Sequence, residues 1–199
     1  MTAYNFNHED SQIFFNDPDT FADHPTMHPD GAPHHRLNVA FAYKLPVGGG
    51  QRFLPNLPKV VNGILGGWTT SHNFMWHSGD FLQFGQMIAN GDPILSQPSL
   101  TKWFNTSDFQ APLPYTPRTN PIQYAGLTGP RWWELDSTIS KNFKLTERFM
   151  LEFRFEAYNL FNNFVPGDPD TNVYDSTFGM STSQANTGRE LQYSLRLHF

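Results

Sequence analysis

The last ten residues of the chain alternate between apolar and polar side chains without interruption. The apolar positions are Leu191, Tyr193, Leu195, Leu197 and Phe199. The positions between them are polar or charged: Glu190, Gln192, Ser194, Arg196 and His198. Successive side chains of a β-strand point to opposite faces of the sheet, so this pattern predicts a strand with one apolar and one polar face.

The same alternation recurs along the chain and predicts six strands. These are residues 2–8, 36–45, 67–77, 132–143, 148–160 and 189–199. It is weakest where His72, Ser137 and Lys141 fall among apolar positions. We therefore predict an all-β chain made of about five to six antiparallel, up-and-down strands of a transmembrane β-barrel.

The predicted connections are long at one end of the strands and short at the other. Residues 9–35, 78–131 and 161–188 form long loops rich in Gly, Pro and Asn, whereas 144–147 is a tight turn. Residues 46–66 also lie at the short end, and we predict a helical turn or two there, with Val60, Val61, Ile64 and Leu65 as its apolar residues. Outer-membrane barrels combine short periplasmic turns with long extracellular loops, whereas compact soluble domains rarely contain loops this long.

The strand lengths and the charges between the apolar positions also favour a membrane wall. A ten-residue strand spans ~33 Å, and a tilt of about 40° leaves roughly 25 Å along the membrane normal, the height of the apolar band of such barrels. Charged residues would be costly in the core of a sandwich, but they can face a water-filled lumen. We assign this lumen-facing position to Glu152, Arg154, Glu156 and Arg196.

The composition excludes several other classes of protein. Charged residues make up 16% of the chain, compared with roughly 25% in an average soluble domain. A net charge of -5 without any run of Lys or Arg argues against binding nucleic acid. The chain has no cysteine, hence no disulfide, thiolate metal site or cysteine nucleophile. No segment has the ~20 apolar residues of a membrane-spanning helix.

The number of predicted strands is too small to close a barrel. A sheet in hydrocarbon has no unpaired edge, and single-chain barrels have at least about eight strands. Residues 1–30 also contain no apolar segment typical of an export signal. We therefore expect the chain to be the C-terminal part of a longer barrel whose other strands and export signal lie upstream.

Two parts of the sequence resemble a known family. LDSTISKNFKLTERFMLEFRFEAYNLFNNFVPGDPDTN with the final RELQYSLRLHF, and HHRLNVAFAYKLPVGGGQRF with the later LGGW and SGD, resemble the C-terminal region of Oar-like TonB-dependent receptors. The resemblance implies the last strands of a barrel of about 22 strands. It also implies uptake of a substrate, powered by a TonB-type partner that contacts a plug domain outside this chain.

The resemblance extends to the C-terminus. Tyr193, Leu195, Leu197 and Phe199 resemble the β-signal that the outer-membrane assembly machinery binds. An exposed alternating strand can pair through its edge with a strand of a receptor. The partners expected from the sequence are therefore outer-membrane lipid, this machinery and the TonB-type protein, in the outer membrane of a Gram-negative bacterium.

One alternative is a soluble, secreted β-sandwich that binds carbohydrate. It is suggested by the aromatic residues of the loops, namely Trp103, Phe104, Phe109 and Tyr115. These residues either contact a ligand or pack the long loop against itself, and the sequence leaves both possibilities open.

Other residues suggest chemistry only faintly. His24, His28, His34 and His35 are close in sequence, but Pro25 and Pro29 prevent the helix that would bring His24 and His28 together around a metal. Residues 168–172, DPDTN, lack the Gly and Glu of a calcium loop and favour a turn. Glu152 and Glu156 fit a charge ladder better than a glycosidase pair. We predict no catalytic, cofactor or metal site, and a chain that is not an enzyme.

Overall fold

The computed structural model describes residues 1–6, 10–13, 26–29 and 33–199, with backbone only for 10–13 and 26–29. It contains ten strands, one α-helix and one 3-10 helix. The strands are β1 (Thr2–Phe6), β2 (Asp10–Ile13), β3 (Thr26–Pro29), β4 (His35–Lys44), β5 (Thr69–His77), β6 (Ile88–Ala89), β7 (Phe109–Gln110), β8 (Trp132–Lys144), β9 (Met150–Tyr158) and β10 (Glu190–His198). The helix α1 is Lys59–Leu65 and the 3-10 helix is Thr106–Asp108.

Six of the strands form one sheet in the order β1-β4-β5-β8-β9-β10. Every neighbouring pair is antiparallel, as expected of an up-and-down arrangement. The all-β, antiparallel prediction is confirmed. In the described part of the chain the sheet is open, with β1 and β10 at its two edges.

The register keeps apolar side chains together across the sheet. Leu195 lies opposite Phe153 on β9, and Val39 lies opposite Phe74, which lies opposite Leu135. A slip of one residue would send every side chain of a strand to the other face, so the alternation in the sequence and the observed ladder support the same register. We call the side that carries these residues the apolar face and the opposite side the polar face.

The short connections lie at one end of this sheet, the short end. Between β8 and β9 the backbone N–H of Leu145 donates to the carbonyl of Phe149 at 3.0 Å. Between β4 and β5 lies α1, in the segment where the sequence predicts a helical turn. Gly48 has φ 117°, and a side chain there would clash with Asn62 and with the backbone of Gly66, so this close approach requires glycine.

The long connections lie at the other end, the long end, and they contain more structure than the sequence predicts. Within the predicted loop 9–35, β2 and β3 form an antiparallel ladder. Residues 7 and 8 of the predicted first strand lie outside the described residues. Within 78–131, β6 pairs with β7 beside the 3-10 helix. The buried apolar cluster of the described chain lies in this loop and not in the sheet: Leu82, Phe84, Met87, Phe104, Phe109 and Leu127.

None of the helices in the described residues is both long enough and apolar enough to span a membrane.

Candidate functional site

The apolar face of the sheet is largely uncovered. Tyr193 and Leu195 on β10 are each 68% exposed, and Phe41 on β4 is 52% exposed. The other ladders in the described residues are two-stranded, so no second sheet of comparable size covers this face. A soluble sandwich buries such a face against a second sheet. An uncovered apolar face on long strands fits a sheet covered by lipid.

The polar face carries the charged residues that the sequence assigns to the lumen. The guanidinium of Arg154 lies 3.0 Å from a carboxylate oxygen of Glu156. The ring of His198 lies 3.1 Å from Glu152, whose partner across the β9–β10 ladder is Arg196. The charges therefore alternate in sign on one wet face. Because the described sheet encloses no lumen, their position toward a lumen stays a prediction.

Two polar residues on the apolar face bond to each other. His72 on β5 lies opposite Ser137 on β8, and its Nδ1 is 2.8 Å from the serine Oγ. Phe41 packs beside the His72 ring, with 4.8 Å between ring centroids. A polar group that faces hydrocarbon is costly unless it forms a hydrogen bond, and this cross-strand pair supplies one. The interruptions of the apolar pattern at His72 and Ser137 therefore lie opposite each other and satisfy each other's hydrogen bonding.

Lys141 also lies on the apolar face, and it is only 5% exposed. Its Nζ donates to the carbonyl of Ile64 at 3.0 Å and to that of Gly66, at the C-terminal end of α1. It also lies over the rings of Trp68 and Phe143, at 5.6 and 4.9 Å from their centroids. In the sequence, Lys141 is visible only as an interruption of the apolar alternation. Its position near the end of β8 could have predicted such a role, since a lysine there can extend along apolar surface to a polar partner.

Aromatic rings lie at both ends of the strands. At the long end Trp132 stacks on His77, with 5.5 Å between centroids. At the short end Trp68 lies edge-on to Phe143 and Phe153, at 6.4 and 5.8 Å. Rings with one apolar and one wet side favour the headgroup level of a bilayer, and outer-membrane barrels carry such girdles at both interfaces.

Residues 78–131 and 161–188 fold together beyond the long end, and we call them the loop domain. Phe104 is fully buried at its centre, with its ring 5.2 Å from Phe84 and 5.2 Å from Phe178 of the second segment. The backbone N–H of Trp103 donates to Gly179 at 2.8 Å, which also joins the two segments. Asn159, just after β9, ties the domain to the sheet. Its backbone N–H donates to Asp136 on β8 at 3.0 Å, and its side-chain amide donates to the carbonyls of Asn163 and Thr187 in the second segment, at 2.9 Å each.

The four aromatic residues considered as ligand contacts have different environments. Phe104 and Phe109 are 0% and 6% exposed, and the indole N–H of Trp103 donates to the carbonyl of Thr128 at 2.8 Å. Packing of the loop against itself therefore describes Phe104 and Phe109, whereas Trp103 is only partly buried. Tyr115 is fully exposed, with φ 63°, and is the one of the four whose whole ring is accessible to a ligand.

Two titratable groups of the loop domain are shifted by their surroundings. Burial and then the neighbouring carboxylate of Asp80 raise the pKa of Asp168, while His77 acts in the opposite direction. Burial, followed by the charge of Asp108, raises the pKa of Tyr124 to about 12. In both cases the surroundings favour the neutral form more than water does. In the described residues no three His, Cys, Asp or Glu side chains are grouped so as to hold a metal ion.

The residues of the faint motifs are held by local contacts. His35 lies 2.7 Å from the hydroxyl of Tyr4, and His34 packs on Phe81 with 4.6 Å between ring centroids. His24 and the side chain of His28 lie outside the described residues. In DPDTN, Asp170 accepts hydrogen bonds from the backbone of Asn172 at 2.8 Å and from the hydroxyl of Thr177 at 2.6 Å. This segment therefore forms a turn held by its own loop.

A cavity of about 590 Å³ lies where the loop domain meets the long end of the apolar face. The residues that line it include Trp76 and Trp133 of the sheet and Trp103, Arg131 and Phe164 of the loops. Its position on the apolar side of the wall separates it from the charged residues of the polar face.

Three of the four predicted β-signal residues, Tyr193, Leu195 and Leu197, lie on β10, at one edge of the sheet. Tyr193 packs on Phe155 with 4.8 Å between centroids, and Phe199 follows the strand and is 86% exposed. The outer backbone edge of β10 pairs with no other described strand, which is the arrangement that pairing with another strand requires. Recognition by the assembly machinery stays a prediction.

An apolar face without a cover, a charged opposite face and aromatic rings at both strand ends define the wall of a membrane-spanning β-barrel. The chain belongs to the outer membrane beta barrel domain family, whose family model matches residues 5–192. The comparisons with curated proteins and with solved structures gave no match. Family and fold together place the chain in the outer membrane of a Gram-negative bacterium and confirm the predicted fold class. The soluble carbohydrate-binding sandwich finds no support.

Proposed function

We propose that the chain forms part of the wall and the ligand-binding loops of an outer-membrane receptor that takes up a substrate with energy from a TonB-type protein. The observation that carries this proposal is the loop domain, a folded body with its own buried core on one end of a membrane wall. A preorganised surface reduces the entropy that binding a ligand costs. The similarity of the sequence to Oar-like receptors supports the energy-coupled form of uptake over passive diffusion.

In this proposal the wall itself performs no catalysis. The polar face lines the path of the substrate with alternating charges, and the apolar face holds the barrel in lipid. The described edges β1 and β10 pair with further strands to close the barrel, because an unpaired backbone edge is not tolerated in hydrocarbon. The plug that contacts the TonB-type protein lies outside this chain.

Growth under single-nutrient limitation tests the energy coupling. Strains that lack this protein, the TonB-type protein or both are compared on limiting iron, cobalamin or oligosaccharide. We expect one condition in which the two single deletions lower uptake equally and the double deletion lowers it no further. Uptake that depends on this protein but not on the TonB-type protein would contradict the proposal and indicate a passive channel.

Tyr115 is the loop residue to test for ligand contact. We expect Tyr115→Ala to lower uptake under the condition found above while leaving the amount of protein in the outer membrane unchanged. Leu113→Ala is a suitable control, because it removes another exposed apolar side chain, 75% exposed, from the same segment. An equal loss in both variants would point to the segment rather than to the tyrosine.

A further inference from the structure

Helix α1 at the short end exposes its apolar side, whereas a surface helix of a soluble domain buries it. Its apolar residues are on one side and exposed: Val60 is 78%, Ile64 58%, Leu65 45% and Val61 37% exposed. At 3.6 residues per turn these four positions cover an arc of about 140°. A helix of a soluble domain turns such an arc toward the core, whereas no residue of α1 is buried.

The polar side of the helix is the one that contacts the protein. Asn62 lies opposite the apolar arc, and its Oδ1 accepts a hydrogen bond from the backbone N–H of Gly49 at 2.6 Å. Gly48 and Gly66 allow this close approach, since a Cβ at either position would lie within 2.6 Å of the same oxygen. The fold therefore fixes α1 by its polar side and leaves the apolar arc outward.

The position of α1 relative to the wall decides what faces that arc. Its C-terminal carbonyls accept hydrogen bonds from Lys141 Nζ and, at 2.9 Å, from the indole N–H of Trp68. Lys141 lies on the apolar face of the sheet, and Trp68 packs on Phe143 and Phe153 of that face. The helix thus ends against the lipid-covered side of the wall. A plug would lie against the polar face, and additional strands would join at β1 or β10, whereas α1 connects β4 and β5 in the interior of the sheet.

The charges of the short end fit the headgroups of a phospholipid leaflet. The connections and strand ends from residue 44 to 67 and from 141 to 150 contain six of the 13 cations of the chain: Lys44, Arg52, Lys59, Lys141, Lys144 and Arg148. Glu147 is their single acidic residue. Arg52 and Arg148 each lie over a neighbouring exposed ring, 5.7 Å from Phe53 and 5.9 Å from Phe149. Such aromatic and cationic pairs are typical of membrane interfaces.

We propose that α1 is an interfacial anchor whose apolar arc inserts into the phospholipid leaflet on the short-end side of the outer membrane. That side is the periplasmic one, since short turns of outer-membrane barrels face the periplasm. An interfacial helix of this kind places its apolar side about 5–10 Å into the boundary between headgroups and acyl chains. Lys141 and Trp68 fix the end of the helix at that depth. The anchor depends on the outer-membrane wall and not on uptake or on the TonB-type partner.

Spin labels on single cysteines test this anchor, because the chain has no cysteine of its own. Val60→Cys and Ile64→Cys are labelled in the intact protein, which is then reconstituted into vesicles of phosphatidylethanolamine and phosphatidylglycerol at 3:1. Asn56→Cys is the matched control, since it is an exposed polar position of the same connection. Leu195→Cys reports the lipid-facing wall. Collision rates with oxygen and with a water-soluble nickel chelate are measured at each label.

We expect the ratio of oxygen to nickel collisions at positions 60 and 64 to exceed that at 56 several-fold and to approach that at 195. Ratios at 60 and 64 equal to that at 56, with a high ratio at 195, would overturn the anchor and leave the wall intact. A low ratio at 195 as well would overturn both. If substrate uptake failed while the label ratios stayed as expected, the result would contradict the proposed receptor function and leave the anchor supported.

Discussion

The fully buried ring of Phe104 contacts Phe84, Phe109 and Phe178 at centroid distances of 5.2 to 5.7 Å. We expect Phe104→Ala to destabilise the loop domain by about 3–5 kcal/mol, because removal of a buried ring leaves a cavity. Protease sensitivity of the loop domain as a function of urea in the folded protein measures this change. Tyr115→Ala is the control and should change stability by less than about 0.5 kcal/mol, as is usual for surface positions.

The raised pKa of Asp168 makes the stability of the loop domain depend on pH. The folded state binds a proton here more tightly than the unfolded state, so the free energy of unfolding falls as pH rises from the ordinary value of 3.8 through the folded pKa. We expect Asp168→Asn to remain folded to higher urea than the unmodified protein at pH 7, and this difference to disappear below pH 3.8. Urea midpoints of the loop domain at a series of pH values measure it.

Asp170→Asn is the matched comparison for that change. Asp170 accepts hydrogen bonds from the backbone of Asn172 and from Thr177. Replacing its carboxylate weakens those bonds, so this variant should lower the urea midpoint at pH 7. A rise in both variants would show that removal of negative charge in general, and not the burial of Asp168, is responsible.

For the strand β10, the cost in stability of an added charge should depend on the face that carries it. Leu195 lies near the middle of the strand on the apolar face, and we expect Leu195→Arg to cost about 2–4 kcal/mol, as a charge at the bilayer midplane does. Gln192→Arg is the control, because it lies on the polar face opposite Glu156. Heat-modifiable migration of the folded barrel on gels, combined with urea titration, measures both. Equal losses in the two variants would contradict the assignment of the faces.

Deletion of the last residue, Phe199, tests assembly rather than stability. We expect deletion of Phe199 to lower the amount of folded barrel in the outer membrane, because the residue belongs to the predicted β-signal. Its side chain is 86% exposed and adds little packing of its own. An unchanged amount of heat-modifiable protein in membranes after the deletion would count against a β-signal at this end.

At the scale of the whole molecule, the open sheet predicts how the chain behaves when expressed alone. Among the described residues the sheet has two unpaired edges and an uncovered apolar face, and both favour association with other chains. We therefore expect no monodisperse species without detergent, as measured by size-exclusion chromatography with light scattering. A monodisperse, detergent-free monomer would contradict the membrane wall and favour a soluble β domain.

The sequence alone predicts the all-β class, the approximate positions of the six strands of the sheet and the separation of an apolar from a polar face. These follow from local side-chain alternation, which has a period of two in any strand. The family match over residues 5–192 agrees with that result.

The tertiary contacts, in contrast, determine which interruptions of the alternating pattern find a polar partner. The pairing of His72 with Ser137 and the bonds from Lys141 to α1 join residues 65 and 77 positions apart. The packing of Phe104 against Phe178 likewise depends on two loops that meet in space. The exposed orientation of α1 depends on Asn62 reaching a turn 13 residues earlier. Contacts between distant segments leave no periodic signal in the sequence, because the partners are brought together by the folded chain and not by their neighbours in the sequence.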